Sequence, residues 1–328
     1  MPRTSPLRAW WAHGRPAAGA AVLATGILSV ALQLTGYEVL SRTALVLACA
    51  AWLALAAGFA VQLLWARENW VSCACTPAAL TSVAATAVLG TRFSVLGRQT
   101  LAEALLALAA VLWPVLLVVV LRHWERRMPG AVFLGCVATQ GLAVLCATLA
   151  GALSTAWLAH AALVLFLCGL VLYCLGLAHF DLRQAVEGAG DQWVAGGALS
   201  ISALAGARLL AADGPRLYLW NDDDRGALRV MTVGLLALDV CWYVVLLAAE
   251  LLRPRLGYDV LRWSTAFPMG MTATAALSVA SAVGVPWLKA VGEVLLWIAV
   301  AVWLAVAVAA VRAASGAVRA GVTSTAPR

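Results

Sequence analysis

The sequence predicts an all-α polytopic membrane protein with ten transmembrane helices, and three observations predict it. Of 328 residues, 64% are hydrophobic and 11% charged, where an ordinary soluble domain carries roughly a quarter charged residues. Ten stretches stay apolar for the roughly 20 residues that a helix needs to cross a bilayer core. The longest link between two of them is 213–229, only 17 residues, which leaves no room for a soluble domain.

In chain order the spans are 17–36, 43–64, 77–97, 101–121, 131–151, 156–178, 192–212, 230–251, 264–284 and 287–308. No A-x-A cleavage site follows the first, which is read as a retained helix. Short Gly/Ser/Thr turns at 94–101 and 151–156 separate neighbouring spans. The chain is thus one transmembrane domain, 17–308, between two short tails, 1–16 and 309–328, rich in Arg, Ala, Ser or Pro. Fourteen Lys and Arg residues fall on the side holding both termini and 8 on the other, so both tails are expected in the cytoplasm and the protein in the cell membrane.

Several classes drop out. No GxxxxGK[ST] loop exists, so ATP-driven transport within this chain is excluded. The net charge of +7 fits cytoplasmic loops facing anionic lipid and is not a nucleic-acid signal. Six of the 8 cysteines lie inside spans, leaving Cys73 and Cys75 in the 65–76 loop without a further Cys or His to complete a metal set. No His/Asp/Ser set or paired-carboxylate site exists, so neither an enzyme nor a cofactor is expected. The run Asp222-Asp223-Asp224 is read as a solvated turn in an external loop.

The spans alternate in character. Odd spans hold 31 Gly, Ser and Thr in 104 residues, and even spans 7 in 110. Even spans such as 101–121 suit lipid; odd spans suit close contact or a wet lumen. The architecture expected is five helical hairpins, with an inner ring of odd helices around a pore and an outer ring of even helices. Steps of four residues keep the small residues on one face: Thr25 and Ser29; Ser82, Thr86 and Gly90; Thr139 beside Gln140; Gly196 and Ser200; Gly270, Thr274 and Ser278. Two readings fit these stripes, helix–helix packing and pore lining, and their restriction to alternate helices favours the second.

Charge sign points the same way. No odd span contains Asp or Glu, while two carry Arg92 and Arg208. A lumen without carboxylates and flanked by guanidinium groups attracts anions; the other reading of Arg208, near the external end of its helix, is that it snorkels. Asp239, near the middle of span eight, either couples transport to protons or ties an outer helix to its neighbour; its place on an outer helix favours the tie.

The motifs resemble a known family. ATGILSVAL around Thr25, VATQGLAVL around Thr139, WVAGGALSISALAGA around Gly196 and WSTAFPMGMTA from Trp263 are similar to the first, fifth, seventh and ninth helices of the tellurite-resistance/dicarboxylate transporter family, which includes TehA-type channels and plant slow anion channels. The resemblance covers roughly residues 15–312. It implies five hairpins about a central pore, a homotrimer with one pore per protomer, and small inorganic or dicarboxylate anions as substrates. It also implies that Phe267, ahead of Pro268, occludes the pore. One departure is Ala20-Ala21-Val22-Leu23-Ala24, without the bulky residue that often precedes the first-helix motif, implying a wider or differently gated passage there. The expected function is an anion channel or uniporter/exporter. The alternative is a proton-coupled carrier of C4-dicarboxylate, sulfite or tellurite-like anions using Asp239, and a remote one is a membrane-embedded enzyme or assembly subunit.

Overall fold

A computed structural model describes residues 6–65, 74–188, 190–214, 217, 219–253 and 258–323. Cys73 and the outermost residues of both tails lie outside them. Among the described residues ten long helices follow one another: α1 Pro6–Leu34, α2 Glu38–Trp65, α3 Thr81–Val95, α4 Gln99–Arg122, α5 Leu134–Leu153, α6 Ala156–His179, α7 Trp193–Ala212, α8 Asp222–Leu252, α9 Trp263–Val283 and α10 Pro286–Thr323. Short 3₁₀ turns, Pro77–Leu80, Gly130–Phe133 and Val260–Arg262, lead into α3, α5 and α9. A one-turn helix, Gln184–Glu187, lies between α6 and α7.

Each of the ten expected spans coincides with a helix; among the described residues nine are long and apolar enough to cross a membrane, and the apolar stretch of the first, Gly19–Leu34, is shorter. α1 and α10 run on into the segments expected as tails. The aspartate run is no loop turn but the first turn of α8. Asn221 caps it, its side chain accepting from the Asp224 N–H at 2.7 Å, and three carboxylates there complement the positive end of the helix.

Links from odd to even helices are tight. A left-handed residue stands in four of them: Gly36, Gly97 and Gly284 at φ +86°, +77° and +71°, and Ser154 at +53°. Ser154 and Gly284 return their N–H to the carbonyls of Ala150 and Ala280, closing the helix end. In these four hairpins the odd helix is thereby folded back against the even helix that follows.

The hairpins arrange in a closed cycle. α1 touches α3, α3 touches α5, α5 touches α7, α7 touches α9, and α9 returns to α1. Every even helix packs on its own odd partner and on the next odd helix: α2 on α1 and α3, α4 on α3 and α5, α6 on α5 and α7, α8 on α7 and α9, α10 on α9 and α1. Burial follows composition. The most apolar windows of the spans holding α3, α5, α7 and α9 are 78 to 94% buried, while those of the even helices reach at most 33%. Small residues let the odd helices approach on all sides; bulky aliphatic ones cover the outside, where the solvent is lipid.

Candidate functional site

Two voids lie along the axis enclosed by the odd helices, and each is lined by the elements of all five hairpins. The wider, about 170 Å³, is a vestibule at the N-terminal ends of α3, α5, α7 and α9, bounded by Thr81, Leu134, Asp191, Val194 and Ser264. The narrower, about 10 Å³, lies deeper, among Val30, Val88, Val144, Leu204, Arg208 and Met271. A single helical turn separates them on two helices: Leu23 and Phe267 face the vestibule, Ile27 and Met271 the inner void. The Phe267 ring, 1% exposed, borders the vestibule and packs beside Gly197 of α7. Pro268 follows it inside α9, where the missing N–H removes one rung of the helical ladder.

Of the residues expected at the site, Phe267 and Arg208 face these voids, and the small polar stripes do not. They meet the surrounding helices instead. Thr25, Thr86 and Thr139 each accept an indole N–H from an even helix: Trp303 of α10 at 3.0 Å, Trp52 of α2 at 3.0 Å and Trp113 of α4 at 2.8 Å. Each hydroxyl also donates to the carbonyl four residues back, at 2.7 to 2.8 Å. Gln140 donates to the Phe166 carbonyl of α6 at 3.0 Å. Gly90 fits under Leu145 and Leu105, Gly196 beside Asp239 and Trp242, and Gly270 beside Ile27 and Leu28. Ser82, Ser200 and Thr274 donate to carbonyls of their own segments, and the buried Ser278 hydroxyl has no partner among the described residues. For the three threonines the physical reason is shared: without water at membrane depth, the indole N–H of an even helix is satisfied by a hydroxyl on the neighbouring odd helix.

Arg92, expected to attract anions, has its guanidinium occupied by neighbouring helices. It is 1% exposed and held between α1, α2 and α3, its Nη2 donating to Ser41 Oγ at 2.9 Å and to Glu38 Oε1 at 3.1 Å, its Nε to Ser41 Oγ at 3.1 Å and Ser29 Oγ at 3.3 Å. Ser29 in turn donates to the Ser41 carbonyl at 2.8 Å. Arg208 has no such set. Asp239, fully buried on α8, accepts from Thr272 Oγ1 of α9 at 3.3 Å, and its Oδ2 has no partner among the described residues. That bond occupies the place in the α8–α9 contact that an indole–threonine bond takes in the α10–α1, α2–α3 and α4–α5 contacts.

Asp191 was missed. Counting carboxylates within spans passes over it because it stands just ahead of α7, yet it borders the vestibule. Its Oδ2 accepts from the Ala131 N–H at 3.4 Å. Burial pushes its carboxyl above the usual range, opposed by backbone N–H groups of Ala131, Gly130 and Gln192. The signal available was its position, one residue before Gln192-Trp193 at the start of an odd span.

Comparison with known proteins places the chain. An uncharacterised membrane protein of Mycobacterium tuberculosis, in the H37Rv and CDC 1551 strains, is 33% identical over 119 residues, covering 34% of this chain. The match spans 57% of the length of those relatives. Residues 13–311 match the family described as voltage-dependent anion channel, SLAC1, an extent that takes in all five hairpins. The chain is a multi-pass membrane protein that belongs to the voltage-dependent anion channel family.

Proposed function

We propose that the chain conducts small anions, inorganic or dicarboxylate, through the axis enclosed by α1, α3, α5, α7 and α9, with Phe267 as the plug. The observation that carries this reading is the aromatic ring bordering the vestibule, one helical turn from Met271 at the inner void, where all five hairpins contribute to both voids. Three further features support it. The odd helices hold no carboxylate. Arg208 is the charged side chain among those lining the inner void. Pro268 weakens the ladder directly beside the ring, and an apolar constriction excludes both ions and water until the ring moves. The cation split between loops sets both termini in the cytoplasm of a cell-membrane protein, so the vestibule opens to the cytoplasm. The family resemblance supports a homotrimer with one pathway in each protomer.

Flux from liposomes containing the purified chain tests the plug. Phe267→Ala is expected to raise chloride and nitrate flux at least several-fold while the protein stays folded. A buried aromatic that only packs would instead leave a cavity and cost about 3–5 kcal/mol, with no gain of flux. A stable Phe267→Ala chain with wild-type flux overturns the reading.

The buried Asp239, with its unpartnered Oδ2, favours a second reading, a proton-coupled carrier. Anion uptake into the same liposomes that collapses with a protonophore selects it. Uptake indifferent to the protonophore selects the passive pathway.

A further inference from the structure

The vestibule ahead of Phe267 carries a carboxylate. Among the described residues that line it, Asp191 is the charged one, and the others are aliphatic, aromatic or hydroxyl side chains that do not titrate. Its place is set on both sides. Gly130, in the turn that leads into α5, lies so close that the Asp191 carbonyl fills the space a Cβ would need. The same carbonyl accepts from the Val194 N–H of α7 at 3.0 Å, and Oδ2 accepts from the Ala131 N–H at 3.4 Å. The residue is 8% exposed. Backbone N–H groups of Ala131, Gly130 and Gln192 meet the carboxyl, and no ion pair among the described residues includes it. Arg262, next to the lining residue Leu261, is held by Glu250 at 2.7 Å, and the His179 ring lies against Trp124.

In an enclosed site with apolar walls, one fixed charge governs the local concentration of ions of either sign. A permanent carboxylate at this mouth would deplete the anions that the path is to carry. A carboxyl that can lose its charge makes the depletion conditional. Burial pushes Asp191 above the usual carboxylate range, so it takes up its proton at a higher pH than an exposed aspartate does. We infer that Asp191 is a valve on the vestibule: ionised, it repels anions ahead of the Phe267 ring, and neutral, it lets them in. Acidification on the vestibule side therefore raises anion flux. The valve rests on the conduction path proposed above.

Chloride and nitrate efflux from liposomes holding the purified chain, with the same pH on both sides, reads the valve. Lowering the pH from about 7.5 to about 5, a range above the ordinary aspartate pKa, is expected to raise wild-type flux about tenfold, the low end of what charge does in a low-dielectric cleft. Asp191→Asn keeps an acceptor oxygen for the Ala131 N–H and loses the charge. Its flux at the higher pH is expected to equal that of the wild type at the lower, with no further rise on acidification. A wild-type flux that is flat or falls on acidification overturns the valve. So does an Asp191→Asn chain that keeps the wild-type pH profile. Absence of flux at every pH, from the wild type and from Phe267→Ala alike, fails the conduction path and the valve with it, whereas flux that ignores pH fails the valve alone. Should Asp191→Asn not fold, Asp191→Ser removes the same charge with a smaller side chain and must give the same pH-independent flux; a wild-type profile there overturns the valve equally.

Discussion

The ring of Phe267 rests on the backbone of Gly197, so closely that a Cβ at position 197 would stand 3.1 Å from Phe267 Cε1 and 3.0 Å from Pro268 Cγ. The absence of a side chain on α7 is what gives the ring its seat. Phe267 and Gly197 are therefore coupled, and a change at one is felt through the other.

Gly197→Ala measures that coupling. The added methyl crowds the ring, and overpacking of this kind costs about 1–3 kcal/mol. In a Phe267→Ala background the crowding against the ring is relieved while that against Pro268 stays, so part of the cost disappears. Thermal unfolding of the two single variants and the double variant closes the cycle. An equal cost in both backgrounds assigns the crowding to Pro268 and removes Gly197 from the seat.

The ion pair of Arg92 with Glu38 predicts an asymmetry. Glu38→Ala takes the carboxylate from a guanidinium that is 1% exposed, leaving it only the Ser29 and Ser41 hydroxyls as acceptors, and is expected to lower the melting temperature. Arg92→Met leaves behind a carboxylate that is 40% exposed and still paired with Arg42 at 2.9 Å, so it destabilises less. Thermal melts of the two variants check the order. Neither change is expected to alter the nitrate-to-chloride flux ratio, because Arg92 faces α1 and α2.

The threonines that accept indole N–H groups separate packing from pore lining. Thr25→Val, Thr86→Val and Thr139→Val keep the shape and leave each tryptophan donor unpaired, at about 0.6–1.5 kcal/mol apiece. Anion selectivity should not move. A shift in selectivity from any of the three would return that residue to the conduction path.

These threonines also mark where sequence reasoning stopped. Ten spans, their hairpin pairing and the alternation of buried and lipid-facing helices were legible, because composition answers to the surrounding solvent. The rotation of each inner helix was not. A helix buried on every side carries no polar face to orient it, and a stripe of Gly, Ser and Thr serves a tight helix contact as well as a lumen. The clue lay on the other helices. Trp52, Trp113 and Trp303 sit inside otherwise aliphatic spans, where an indole N–H requires an acceptor; each pointed to a hydroxyl on the next odd helix. Aliphatic residues such as Ile27, Val144 and Ile201, which do line the axis, look no different in sequence from core. Phe267 and Arg208 stood out because one is aromatic beside a proline and the other is charged.

The bond from Trp303 to Thr25 joins residues 278 apart and has a consequence for how the chain is made. At a synthesis rate of about 5–20 residues per second, α1 waits roughly 14–56 s for the helix that supplies its indole. Until then the cycle is an open arc, with the α1 flank that α9 and α10 will cover facing lipid or an insertion chaperone. Loss of the last hairpin during translation would therefore leave a product whose first hairpin is inserted but whose ring has never closed, a ready substrate for membrane quality control.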